Sequence, residues 1–316
     1  VIVFRSPEEV PSDFGPSAVA IGKFDGVHIG HRAVIDRLNE AAAASGSRSV
    51  VVTFDRNPLA VLRPDRCPEN VVTVDRKLEL LSELGIDATL VLTFDEQLAA
   101  RSADDFVTDI LVDALQVSTV LVGEDFRFGN RGAGTPELLR ELGPRDGFTV
   151  EVVDDVYLPG STRRVSSSWI RELLMHGDVT AAARVLGRNP DVRGEVVHGL
   201  KRGRELGFPT ANLSTIVDAF VPADGVYAGW LVDHDTGIRH PSAISVGTNP
   251  TFDDVLVRQV EAHVLGETGL DLYGHDVTVE FVERLRGMVA FEGIEKLMEQ
   301  MAADVTDAAR VLGLSS

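Results

Sequence analysis

An α/β doubly wound parallel-sheet domain, followed by an antiparallel β-barrel domain with a C-terminal helix, is the fold this sequence predicts. Three observations carry it. As far as residue 187, continuous apolar runs alternate with amphipathic ones, as a parallel sheet covered by helices on both faces requires. Beyond Gly187-Arg188-Asn189-Pro190 the segments become short, β-rich and separated by Gly, Pro, Asn or Asp, which suits antiparallel pairing in a barrel. Helical periodicity returns only at residues 292–312. The boundary is therefore expected near residue 188, giving domains 1–187 and 188–316, and 316 residues suffice for two cores.

Each element has a local reason. Residues 18–21 are an apolar strand, and Val34, Ile35, Leu38 and Ala42 then fall on one face of a helix. Residues 49–54 are a β-branched strand. Asp75 is expected to cap a helix carrying Leu78, Leu81 and Leu84, which Gly85 stops. Residues 90–94 read as a strand, 103–115 as a helix and 119–122 as a strand. Thr135-Pro136 opens another helix, and residues 148–153 complete the series. Two short helices at 168–175 and 178–186 end at Gly177 and Gly187. The barrel strands are expected at 192–197, 225–232, 241–246, 257–265 and 276–282.

Composition limits the partners. With 49 acidic and 30 basic residues the formal charge is -19, a field that repels nucleic acid and anionic membranes. A small nucleotide remains admissible, because backbone N–H groups and a few arginines outweigh distant charges. Cys67 is the single cysteine, which excludes an intrachain disulfide and suits a reducing compartment. No stretch reaches the roughly 18 apolar residues of a membrane span, and the N-terminus lacks a signal-peptide apolar region, so a cytoplasmic protein is expected. The oligomeric state is left open.

Four motifs carry chemistry. Gly22-Lys23-Phe24-Asp25-Gly26-Val27-His28-Ile29-Gly30-His31 joins the first strong strand to a helix. Its glycines admit a close ligand, the helix start offers N–H groups to phosphate, and His28 and His31 supply donors, or positive charge when protonated. The spacing fits neither a Walker loop nor a dinucleotide fingerprint. Gly123, Asp125 and the residues up to Gly129 follow another strand of the same sheet, so both loops belong on its carboxyl edge, where such sheets bind ligands. Arg163-Arg164-Val165-Ser166-Ser167-Ser168-Trp169-Ile170-Arg171 sets hydroxyls and guanidiniums before a helix, a second phosphate-binding pattern. In the second half, the basic glycine-rich run from Gly199 through Lys201, Arg202, Gly203 and Arg204 ends in Pro209-Thr210-Ala211-Asn212, where Thr210 and Asn212 are hard oxygen donors suited to Mg²⁺. Taken singly, three of these motifs have a plain alternative: a βα turn with solvent histidines, a serine cap, a basic loop between strands.

Together they resemble one family. GKFDGVHIGH and VSSSWIR resemble the two signatures of HxGH nucleotidyltransferases, and with GEDFRFG they resemble the adenylyltransferase half of bacterial bifunctional riboflavin kinase/FAD synthetases. The run from Gly199 to Asn212, with GVYAGW, SVGTNPTF and Arg258-Gln259-Val260-Glu261-Ala262-His263, resembles the riboflavin kinase half. The resemblance covers nearly the whole chain. It implies ATP, riboflavin, FMN and FAD as small-molecule partners, with Mg²⁺ as cofactor. It further implies that His28 and His31 are catalytic in adenylyl transfer, that Gly22, Phe24, Asp25, Gly26, Gly30, Arg164, Ser167, Ser168 and Arg171 hold its ATP, and that Gly123 and Asp125 lie in the ATP/flavin crevice. In the kinase it implies Gly199, Lys201, Arg202, Gly203 and Thr210 for ATP, Thr210 and Asn212 for the metal, and Glu261 as general base; His263 is read as structural. The sequence departs from the family pattern at Lys23, at Asp55-Arg56-Asn57-Pro58, and at Asp125, where relatives often carry asparagine. A kinase-only protein with a degenerate first module is the alternative reading.

Overall fold

The structure, a computed structural model, describes residues 1–198, 208–214, 219–250, 256–267 and 269–314. It divides into two compact units, Val1–Ser166 and Ser167–Ser316.

The first unit is a six-stranded parallel sheet built from β1 (Ile2–Phe4), β2 (Ser17–Ile21), β3 (Arg48–Phe54), β4 (Ala88–Leu92), β5 (Val117–Gly123) and β6 (Thr149–Val153), in the order β1-β4-β3-β2-β5-β6. Its strands are apolar along their length because both faces are covered; every residue of β2 and β4 is buried. The covering elements include α1 (Ile29–Ser45), α2 (Leu59–Leu62), α3 (Val74–Ser82), α4 (Glu96–Ala100), α5 (Ala103–Asp105) and α6 (Pro136–Asp146). The chain moves outward from β2 through β3 to β4, then returns to place β5 on the other side of β2. The order therefore reverses between β2 and β5, the switch point beyond whose carboxyl ends sheets of this kind bind ligands.

Two local expectations are corrected. Thr73, not Asp75, caps α3: its Oγ1 accepts the Arg76 N–H at 3.2 Å, whereas Asp75 lies inside the first turn. The helix expected over 103–115 is α-helical only at α5 and continues as a π-helical stretch, Phe106–Ala114, with the Leu115 N–H donating to the Ile110 carbonyl at 3.2 Å. Its Phe106, Val107, Ile110 and Leu111 are all buried in the core.

The second unit begins with α7 (Ser167–Met175) and α8 (Val179–Leu186). It continues with β7 (Asp191–Val197), β8 (Ala211–Leu213), β9 (Gly225–Asp233), β10 (Arg239–Pro250), β11 (Leu256–Val264) and β12 (Asp276–Arg286), and ends in α9 (Ile294–Val311). The strands close into an antiparallel barrel in the order β10-β11-β8-β7-β12-β9. The short β8 is a strand that periodicity did not single out. The pattern of the sequence changes at residue 188, yet α7 and α8 cluster with the barrel because their ends are tied to it. Thr180 Oγ1 donates to the Val282 carbonyl (3.1 Å), the Ala223 N–H to the Leu174 carbonyl (2.9 Å), and the Arg284 guanidinium to the His176 carbonyl (3.1 Å).

Inside the barrel, the Tyr227 and Phe281 rings meet edge to face at 5.3 Å. Strands β9 and β12 approach so closely at Gly229 that an added Cβ would lie 2.0 Å from the Glu280 carbonyl oxygen. Backbone cannot yield there as a flexible side chain can. Gly229→Ala is expected to destabilise the barrel by about 1–3 kcal/mol or more, read as a lower denaturant midpoint; an unchanged midpoint would contradict this packing.

Candidate active sites

The glycine-histidine turn leaves β2 at the point where the strand order reverses. Gly26 (φ 81°) takes the left-handed conformation that favours glycine, and Phe24 (φ 50°) and Val27 (φ 41°) take positive φ without that freedom. Such backbone costs of order 1–3 kcal/mol per residue, and the buried Phe24 and Val27 side chains hold it in place. Gly22 and Gly30 have ordinary φ and are small for a different reason. A Cβ on Gly22 would meet the Phe24 ring at 3.1 Å, and one on Gly30 the His28 ring at 3.2 Å. Phe24 is only 2 % exposed, so its ring shapes the turn from within. The Asp25 carboxylate accepts the Val71 N–H at 2.8 Å, fastening the turn to the segment before α3.

His28 is the N-cap of α1. Its Nδ1 accepts the His31 N–H at 3.2 Å, so the proton of the neutral ring sits on Nε2. The two imidazoles stack with centroids 3.6 Å apart and planes 12° from parallel. Burial first, then the neighbouring His28, Lys77 and Lys23, hold the pKa of His31 well below the ordinary histidine value. At neutral pH His31 is thus a neutral hydrogen-bonding ring in the ligand-free protein, whereas residue type alone admitted a cation. Its Nδ1 is buried without a hydrogen-bond partner.

Sequence reasoning passed over a third group here. Lys77 is 7 % exposed, and its ammonium donates to the Phe54 carbonyl (2.8 Å), Thr53 Oγ1 (3.1 Å) and the Lys23 carbonyl (3.4 Å). Burial lowers its pKa to about 8, although Asp25 and Asp55 favour the charge. The available signal was a lysine on the same α3 face as Leu80 and Leu81, the buried face. Of the departing residues, Asp55 pairs with Arg56 (2.8 Å) and accepts the Phe94 N–H (2.9 Å), while Asn57 Oδ1 accepts the Leu59 N–H (3.1 Å) at the start of α2.

Gly123 ends β5, the neighbour of β2, and Asp125 follows it, so the two loops leave adjacent carboxyl ends. Asp125 is exposed and pairs with Arg164 at 2.8 Å, and Arg164 also reaches Asp155 at 3.3 Å. Asp155, likewise not singled out by sequence, thus helps hold Arg164 beside this loop. The serine-arginine motif straddles the two compact units: Arg164 belongs to the first, while Ser167, Ser168 and Arg171 lie on α7 of the second.

On the barrel, β8 carries Asn212 directly opposite Glu261 of β11. Thr210 hydrogen-bonds the Glu261 carboxylate, and the Asn212 amide donates to Thr210 Oγ1 and to the Thr210 carbonyl, both at 3.2 Å. Burial raises the pKa of Glu261, and the Thr210 bond partly offsets this. His263 Nδ1 lies 2.8 Å from the Pro209 carbonyl, an acceptor only, so that nitrogen carries the proton and the start of β8 is pinned to β11. A cavity beside these residues is lined by Thr210, Asn212, Ala262, Val264, Leu272 and Tyr273. Gly199, Lys201, Arg202 and Gly203 lie outside the described residues.

With amide and hydroxyl donors engaged as above, Asn212 Oδ1 and Thr210 Oγ1 remain as neutral oxygens beside a carboxylate. This donor set fits Mg²⁺, which takes few protein oxygens and completes its shell with water and phosphate.

Comparison with known proteins adds independent findings. The FAD synthetase family matches residues 10–169 and the riboflavin kinase family residues 186–312. The bifunctional riboflavin kinase/FMN adenylyltransferase of Pseudomonas fluorescens is 39% identical over 297 residues, covering 94% of this chain and 93% of the relative. The protein of the same description from Escherichia coli K12 is 34% identical over 300 residues, with 94% and 93% covered. A crystal structure described as a macrolide-efflux protein from Streptococcus pneumoniae superposes with a TM-score of 0.87 at 29% identity, covering 97% of this chain and 98% of that one. Among the described residues no helix is long and apolar enough to cross a membrane.

Proposed function

This chain belongs to the family of bifunctional riboflavin kinase/FMN adenylyltransferases, and we propose that residues 1–187 carry out adenylyl transfer and residues 188–316 the kinase reaction. The protein converts riboflavin and ATP to FMN and ADP, then FMN and a second ATP to FAD and pyrophosphate. The carrying observation is a phosphate-handling constellation in each half: the histidine-capped turn where the sheet order reverses, and Thr210, Asn212 and Glu261 on paired barrel strands. The division of labour at residues 1–187 and 188–316 follows the matches to the two families.

In the kinase reaction Glu261 takes the proton of the ribityl 5′-hydroxyl as its oxygen bonds the γ-phosphorus and ADP leaves. A carboxylate with a raised pKa is a stronger base toward a poor nucleophile. Thr210 orients that carboxylate and, with Asn212, would hold Mg²⁺, which supplies charge neutralisation to the outer phosphates. Gly199, Lys201, Arg202 and Gly203 complete the ATP loop in this reading.

In adenylyl transfer an FMN phosphate oxygen bonds the α-phosphorus of ATP while the α–β bridging bond breaks. FMN phosphate is already anionic, so the reaction needs no protein nucleophile. His28, through Nε2–H, and the turn held in place by Asp25 and Lys77 stabilise charge on the α-phosphate; His31 assists as a neutral ring, and the start of α1 adds the positive end of its dipole. Arg164, Ser167, Ser168 and Arg171 take the departing pyrophosphate, with Arg164 exchanging Asp125 for phosphate. The reading also places the protein in the cytoplasm, where ATP is available.

Purified chain supplied with riboflavin, ATP and Mg²⁺ is expected to form FMN and then FAD, resolved by chromatography. FMN without FAD would leave only the kinase-only alternative standing; neither product would overturn both halves.

A further inference from the structure

We propose that Lys77 is a positioning residue for adenylyl transfer: its buried ammonium ties the glycine-histidine turn to the end of β3 and keeps a positive charge behind the phosphate site. The inference rests on the reading that this turn holds the nucleotide phosphates.

The geometry is that of a three-way clamp. An ammonium has three protons, and here they meet three neutral oxygens on two loops: the Lys23 carbonyl in the turn after β2, and Thr53 Oγ1 and the Phe54 carbonyl at the end of β3. Thr53 Oγ1 itself donates to the Lys23 carbonyl at 3.0 Å, so the two loop ends are joined twice. Strands β2 and β3 are parallel neighbours, so the clamp joins the end of β3 to the first residues of the turn that carries His28 and His31.

A clamp alone does not need a charge. A buried cation is costly, and apolar packing often replaces one without loss of stability. The charge becomes useful where an anion is to arrive. Around Lys77 lie Lys23 and Asp25 from the turn, His31 at the start of α1 and Asp55 after β3. Lys77 and Lys23 help hold His31 neutral, so the ligand-free site stores electrostatic stress that a polyphosphate relieves. The same ammonium thereby serves shape and charge together.

The test uses the full-length chain, whose kinase reaction is an internal folding control. Lys77→Met is expected to lower kcat/KM for ATP in FAD formation about ten-fold or more, as loss of one partly shielded charge predicts, with the KM for FMN and riboflavin phosphorylation unchanged. The wild-type pH profile for ATP should fall as Lys77 loses its proton near pH 8, a limb that Lys77→Met lacks and Lys77→Arg moves upward. Wild-type kcat/KM for ATP in Lys77→Met overturns the proposal, as does equal loss toward ATP and FMN with the alkaline limb intact. If Lys77→Met also loses the kinase reaction, Lys77→Arg decides: a limb that stays in place overturns the proposal. His28→Asn separates the two levels, because full FAD formation in that variant removes the phosphate-turn reading itself, whereas its loss beside an unaffected Lys77→Met removes only the role of Lys77.

Discussion

Glu261→Gln stops FMN formation while leaving FAD formation from supplied FMN intact. Glutamine keeps the size of the side chain and an oxygen to accept from Thr210, so the barrel strands β8 and β11 stay in register. What disappears is the proton acceptor. A positioned general base contributes about 10²–10⁴-fold, and that range is the expected fall in kcat. In the wild type, kcat/KM for riboflavin should decline as pH falls through the Glu261 pKa, since the base must be ionised. Burial puts that acid limb above the ordinary value of 4.5. Steady-state assays of each half-reaction check both statements. Retained FMN formation in the variant would assign the proton to another group, and an acid limb at or below the ordinary value would contradict the shielding of Glu261.

His28→Ala has the mirror-image effect: FAD formation from FMN falls and FMN formation persists. Losing one preorganised donor to developing charge typically costs about 10²–10³-fold. Alanine also removes the cap on α1, worth about 1 kcal/mol, because His28 Nδ1 accepts the His31 N–H. His28→Asn resolves this ambiguity. Asparagine caps helices well but lacks the Nε2–H, so it should keep the thermal midpoint near wild type and still lose adenylyl transfer. Full activity in His28→Asn would show that the histidine serves the helix alone, and simultaneous loss of FMN formation in either variant would contradict separate sites.

The legible part of this protein was the part encoded in short range. Strand β2, the turn with its glycines, and the apolar face of Ile35, Leu38 and Ala42 on α1 follow from neighbouring residues, as does the change to β-rich segments after Pro190. The motifs that carry chemistry are short for a related reason: phosphate must meet several groups within one turn. Thr210 and Asn212 could be matched to oxygen-donor chemistry without knowledge of their surroundings.

Less visible were the groups whose behaviour depends on what comes from afar. Asp75 and Thr73 are both capping residue types, and only backbone geometry selects Thr73. In sequence Gly22 and Gly30 read as openings for a close ligand, yet the Phe24 and His28 rings lie against the places a Cβ would take. Lys77 shares a helix face with Leu80 and Leu81, but its partners are supplied only where β3 and the turn after β2 converge on it.

By itself, then, the sequence determined the two folds, their order along the chain and the motifs that mark two phosphate chemistries, because periodicity, turns and caps act between residues a few positions apart. Tertiary structure alone decided that burial holds the pKa of His31 below and that of Glu261 above the ordinary value, that Glu261 stands opposite Asn212, and that Lys77 is buried against the turn after β2. Desolvation sets those properties, and water is excluded from a side chain only when segments distant in sequence pack around it.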